Sequence, residues 1–213
     1  MRNVVGLIAV TAVIVALMVP GAVTGATKPC FRQQPTIVVS AGYGFTVHGT
    51  GGNDVIEVTA PEDHRILAGG GSDSICGNAG SETIYTGDNA GGQVDPGPGD
   101  DTVYGGAGFD FVNSGGMVPN AHGGGADTLY GFGKADVLTG GRGEDTIYGG
   151  DGNDSLHGQD GRDRLIDRGD GGGDSLVGGA NRDRCTGDRG DTFRACERIV
   201  RRGAPRYADR RHK

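Results

Sequence analysis

Five aspartates, Asp127, Asp136, Asp145, Asp154 and Asp163, fall nine residues apart with no slip. Two residues after each stands an aliphatic: Leu129, Leu138, Ile147, Leu156 and Leu165. Glycines crowd the positions before each aspartate, so from Gly140 the chain reads GGRGEDTIY, GGDGNDSLH and GQDGRDRLI. Carboxylates spaced this way among glycine carbonyls are hard oxygen donors. Such donors suit Ca2+, which accepts about six to eight of them in loose geometry. The competing reading is an Asx-turn, in which each aspartate caps backbone N–H groups and holds no metal. One G-x-G-x-D favours the cap; five in register favour the cation.

The elements that must position these carboxylates follow from the period. Six residues, G-G-x-G-x-D, make a turn in which glycine supplies positive φ. The next three make a minimal strand whose central aliphatic points inward while its neighbours point out. The nonapeptide G-G-x-G-x-D-x-U-x resembles the RTX family of hemolysin-type calcium-binding repeats, over roughly residues 49–195. The resemblance implies an all-β fold, a right-handed parallel β-roll (a β-solenoid) in which two repeats close one coil. It also implies several Ca2+ ions between stacked turns, held by position-six carboxylates and by carbonyls of the glycine turns. Carried onto this chain, those ligands are Asp54, Asp73, Asp101, Asp110, Asp127, Asp136, Asp145, Asp154, Asp163 and Asp174, with Gly123, Gly125, Gly141, Gly143, Gly150 and Gly152.

Three turns lapse, with His64, Gly92 and Val118 standing where the acid belongs, and Glu82 keeps register in another. Each lapse fills about one nonapeptide and reads as a decayed coil. Alternate turns then stack. One edge carries Asp54, Asp73, Gly92, Asp110, Asp127, Asp145, Asp163 and Asp183; the other carries His64, Glu82, Asp101, Val118, Asp136, Asp154, Asp174 and Asp191. Adjacent acids make the sites. Asp127/Asp145, Asp145/Asp163, Asp136/Asp154 and Asp154/Asp174 are the strongest, and Asp54/Asp73, Glu82/Asp101 and Asp110/Asp127 are weaker. Lys134 replaces the third glycine before Asp136, where its ammonium could fold over the edge.

Composition agrees with a thin-cored rod. Glycine supplies 45 of 213 residues, about three times the usual share of roughly 7%, with no collagen period. Aromatics are 6% and tryptophan is absent, too little for a conventional core but enough for a solenoid seam. Residues 27–197 hold 26 acids and 12 bases, net −14, whereas Arg198 to Lys213 hold seven bases and one acid, net +6. An acidic body excludes nucleic acid as a partner.

The N-terminus reads as a separate object. Arg2, the apolar run Val4 to Val19 and small residues ending at Ala26 make a secretory signal over residues 1–26. A retained anchor is the alternative, but sixteen apolar residues fall short of the about 20 that a span needs. The expectation is secretion, with no stable membrane insertion after cleavage. Residues 27–48 read as an N-terminal cap with short strands at Ile37-Val38-Val39 and Phe45-Thr46-Val47, and residues 196–213 as a C-terminal cap and basic tail. Four cysteines in an exported chain favour disulfides. Cys30–Cys76 and Cys185–Cys196 are the pairing expected of a rod whose ends cannot meet; zinc is disfavoured because no C-x-x-C exists.

Tyr85, Tyr104, Tyr130 and Tyr148 occupy position nine, facing out, and Tyr130 and Tyr148 stack in this register. The ladder reads first as cross-strand packing, with a cell-surface or glycan partner as the second reading. The five histidines are scattered, with no HExxH, nucleophile elbow or P-loop, so no enzyme is expected. The expected function is secreted Ca2+ binding coupled to folding. An adhesion or glycan-binding protein, or an accessory module of a secreted hydrolase, is the alternative.

Overall fold

The computed structural model describes residues 30–40, 46–87, 91–114, 124–168 and 173–201. The expected signal segment lies outside the described residues, as do Gly123 and the basic tail beyond Arg201. Apart from a three-residue 3-10 turn, Cys30–Arg32, the described chain is built from strands, from β1 (Ile37–Val39) to β18 (Arg198–Arg201). They alternate between two nine-stranded sheets, odd strands in one and even strands in the other. Every named pairing is parallel. This is the parallel β-roll expected from the nonapeptide, and at about 4.8 Å per strand it is roughly 40 Å long.

The core is a single seam. Each interior strand contributes its central aliphatic, and Ile56, Ile66, Ile75, Ile84, Val94, Val103, Val112, Leu129, Leu138, Ile147, Leu156, Leu165 and Leu176 are fully buried. Register aligns them directly: Leu129 faces Ile147, and Leu138 faces Leu156. Ile37 and Val39 pack on one end of the seam and Phe193 and Cys196 on the other. The segment read as an N-terminal cap therefore supplies a first coil, with β1 pairing β3 (Val55–Val58) and β2 (Thr46–His48) pairing β4 (Arg65–Leu67). Cys185 takes an inward seam position and is bonded to Cys196, Cα atoms 5.9 Å apart. Cys76 is also disulfide-bonded; the side chain of Cys30, its expected partner, lies outside the described residues.

Two lapsed turns stay in the roll. His64 precedes β4, and Gly92 precedes β7 (Gln93–Asp95). The third, around Val118, lies outside the described residues. Strand β9 (Phe111–Asn113) lies in the odd sheet, and the next strand, β10 (Thr128–Gly133), already lies in the even one. The two edges therefore exchange the partners expected from the nonapeptide count. Asp127 follows Asp101 rather than Asp110, and Asp136 follows Asp110. The reason is the parallel stack itself. Strand β10 buries Leu129 only by pairing with β8 (Thr102–Gly106) and with β12 (Thr146–Asp151), which fixes the side it must join.

The exchange also lengthens the tyrosine column. Tyr85, Tyr104, Tyr130 and Tyr148 stack in sequence with centroids 4.6, 5.1 and 4.8 Å apart. Threonines 83, 102, 128 and 146 run in register beside them.

Candidate metal centre

The position-six acids form two ladders, one along each edge of the roll. In each, a carboxylate accepts the backbone N–H of the position-six residue one coil earlier. On one edge Glu82, Asp101, Asp127, Asp145 and Asp163 donate in turn to Oδ1 of Asp101, Asp127, Asp145, Asp163 and Asp183, at 2.8 to 3.0 Å. On the other edge Asp110, Asp136 and Asp154 donate to Oδ1 of Asp136, Asp154 and Asp174, at 2.8 to 3.0 Å. The expected pairs Asp127/Asp145, Asp145/Asp163, Asp136/Asp154, Asp154/Asp174, Glu82/Asp101 and Asp54/Asp73 are brought together; Asp54 donates to Asp73 Oδ1 at 2.9 Å. The pair Asp110/Asp127 is not. Asp183, Asp191 and Glu197 extend the ladders further than the expected ligand set reached.

The second carboxylate oxygen decides what the ladder can do. Oδ2 of Asp73, Asp101, Asp110, Asp127, Asp136, Asp145, Asp163 and Asp183 is buried and has no hydrogen-bond partner. In Asp110, Asp136, Asp145, Asp163 and Asp183 it points at the first glycine of its own turn. A Cβ on Gly140 would lie 2.3 Å from Asp145 Oδ2. On Gly131 it would meet Asp136 Oδ2 at 2.4 Å and the Gly149 carbonyl at 2.6 Å; on Gly158, Asp163 Oδ2 at 2.2 Å and the Gly178 carbonyl at 2.5 Å. Carboxylate and carbonyl oxygens thus converge where only glycine fits.

The position-four glycines form a second close column. Gly143 has φ +136°, and its Cβ would fall 1.7 Å from the Gly125 carbonyl. Gly141, Gly150 and Gly152 also take positive φ. Lys134 holds the same position with φ 76°. Its side chain is exposed, and it makes no salt bridge among the described residues, so it does not close the Asp136 turn.

Burial without a cation disfavours ionised carboxylates. Burial pushes Asp127 and Asp136 up to about 8, Asp163 to about 7, and Asp101, Asp110 and Asp145 to about 6, each against hydrogen bonds that lower them. Like-charged neighbours add to the rise at Asp127, Asp136 and Asp163. Oxygen-only donors, glycine carbonyls at close range and carboxylates short of positive charge together fit a hard divalent cation.

Two turns depart from this arrangement. Asp54, expected as a ligand, differs in its second oxygen: Oδ2 accepts the Thr50 N–H at 2.6 Å and the Thr50 hydroxyl at 2.9 Å. The Thr50 hydroxyl is a donor that a glycine at that place would lack. At the Gly92 lapse the Thr86 hydroxyl bonds both the Gly105 carbonyl and Asp110 Oδ1, filling the gap left by the missing acid.

One residue escaped the motif. Asp167 stands where the first glycine of a turn belongs, and it is buried. It lies with Asp154 and Asp174 so that one oxygen from each falls within 4.8 Å of the others. The sequence signal was an acid in the glycine column, just before the two-residue insertion that precedes Asp174.

No curated protein matches the chain. A family profile, the RTX calcium-binding nonapeptide repeat in four copies, matches residues 46–59, 65–91, 96–116, 130–165 and 168–193. Most ladder acids fall within this match, with Asp127 and Glu197 outside it, and the chain belongs to the RTX calcium-binding nonapeptide repeat family.

Proposed function

We propose that the protein is a secreted, non-enzymatic calcium-binding protein whose roll folds as the ion loads. The observation that carries this reading is the file of buried carboxylate oxygens without hydrogen-bond partners, which at Asp110, Asp136, Asp145, Asp163 and Asp183 face the first glycine of the turn. Asp101, Asp110, Asp127, Asp136, Asp145, Asp154, Asp163 and Asp174 are assigned as carboxylate ligands, joined by Asp73, Asp167 and Asp183. Gly125, Gly141, Gly143, Gly150 and Gly152 are assigned as turn residues whose carbonyls complete the sites. Bound Ca2+ supplies positive charge between stacked turns. The protein's own contribution is to align the acids by strand register and to keep water out with the seam.

Coupling to folding follows from the cost of the alternative. Ordering glycine turns is entropically expensive, and each coil buries one aliphatic from each of its two strands. Ion binding then becomes folding energy, as in small metal-dependent domains. Secretion is supported by the apolar N-terminal run and by the disulfide-bonded cysteines.

Circular dichroism in chelator and in millimolar Ca2+, with calorimetric counting of bound ions, tests the proposal. The expected result is β structure that grows cooperatively with Ca2+. An unchanged spectrum with no ion uptake would leave the aspartates as caps and end the reading.

A further inference from the structure

His64 is the one histidine standing in a position-six column. Its neighbour one coil on is Glu82, and the two are 3% and 1% exposed. His64 Nδ1 lies 3.8 Å from Glu82 Oε1, too far for a hydrogen bond. Neither ring nitrogen of His64 and neither carboxylate oxygen of Glu82 has a hydrogen-bond partner. A buried imidazole normally commits both nitrogens. Both imidazole nitrogens are thus left over, facing a Glu82 carboxyl that the Asn78 backbone and the Asp101 carboxyl approach.

Their surroundings repeat the metal-site plan of the roll with one donor exchanged. Glu82 Oε2 points at Gly77, the first glycine of its turn; a Cβ there would lie 3.2 Å from that oxygen and 2.1 Å from the Pro96 carbonyl. Asp101, one coil further, takes the Glu82 N–H on Oδ1 at 2.8 Å and keeps a buried Oδ2 without a hydrogen-bond partner. The position is thus lined by carboxylate and carbonyl oxygens, with imidazole nitrogen where the repeat has an aspartate.

We propose that His64 and Glu82 bind a divalent transition-metal ion of the Zn2+ class, chemically distinct from the Ca2+ sites along the rest of the roll. Imidazole suits Zn2+, Ni2+ and Cu2+, whereas Ca2+ takes oxygen. Two donors at about 2.0–2.2 Å on a tetrahedral ion stand roughly 3.4 Å apart. The observed 3.8 Å closes to that by small side-chain rotations, with Glu82 on one side and the imidazole on the other.

The test is calorimetric titration of the full chain with Zn2+ in excess Ca2+, which reads Zn2+ uptake itself whether or not Ca2+ fills the other turns. The expected result is one Zn2+ that Ca2+ does not displace. His64→Gln and, separately, Glu82→Gln should each weaken it at least about tenfold, while the exposed His48→Gln leaves it unchanged. His64→Asp should restore the repeat and convert the position to one that takes Ca2+ and rejects Zn2+. Glu82→Gln keeps the side-chain shape, so it remains informative if a His64 variant fails to fold. Absence of Zn2+ uptake, or uptake undiminished in both Gln variants, overturns the site and leaves a buried histidine–glutamate pair only.

Discussion

The backbone N–H of Asp101 donates to Asp127 Oδ1 at 2.8 Å across a sequence separation of 26. The regular step is 18, as from Asp127 to Asp145. The other ladder bonds that an aspartate accepts span 17 to 20, except Asp110 to Asp136, which crosses the same stretch and also spans 26. The difference, 26 − 18, is eight extra residues in one turn. Removing residues 115–122 joins Ser114 to Gly123 and leaves S-G-G-G-A-D, an ordinary turn ending on Asp127. The deletion variant is expected to keep its β spectrum and its Ca2+ stoichiometry. Loss of either would show that the inserted stretch is needed to hold the coils together.

Asp145 belongs to two steps of its ladder, accepting from Asp127 and donating to Asp163. Asp145→Ala should therefore remove more than one Ca2+ by calorimetry and shift the folding midpoint to at least about tenfold higher Ca2+, which is about 1.4 kcal/mol. Asp54→Ala, at a turn capped by Thr50, should change the ion count by nothing. Equal losses from both variants would contradict the distinction between ligand and cap.

Asp167 adds a third carboxylate to Asp154 and Asp174. Affinity in oxygen sites rises with ligand charge. Asp167→Gly restores the ordinary first-position glycine, and it should weaken the tightest Ca2+ step several-fold without lowering the number of ions. A titration indistinguishable from the parent protein would place Asp167 outside the metal set.

Acid should favour the roll when metal is absent. Burial raises Asp127 and Asp136 to about 8 and Asp163 to about 7 in the folded state, above about 3.9 for an unfolded aspartate. A carboxyl with a raised folded pKa stabilises the fold below the unfolded value and loses that contribution as pH rises through the folded one. In chelator, β structure should thus be greatest near pH 4 and fall away between about pH 4 and 8. With saturating Ca2+ the trend should reverse, since protons compete for the same oxygens. Ellipticity followed against pH with and without chelator checks both signs.

The sequence by itself determined the local rules. A nine-residue period with one aspartate and one aliphatic specifies a turn of six and a strand of three, because glycine turns and alternating side chains allow little else. That was enough to place Asp136 beside Asp154, and Leu138 in the seam beside Leu156. It was also enough to hold His64 and Gly92 in the roll, since their spacing preserves the coil. Strand partners across an irregular turn were a different matter. Near Val118 the spacing left the partners of the following strand open, and the burial of Leu129 between Val103 and Ile147 fixes them. Tertiary structure likewise separated Asp54 from the ladder aspartates. Whether a carboxylate oxygen meets a donor such as Thr50 or is left without a hydrogen-bond partner depends on side-chain reach, which no nonapeptide records.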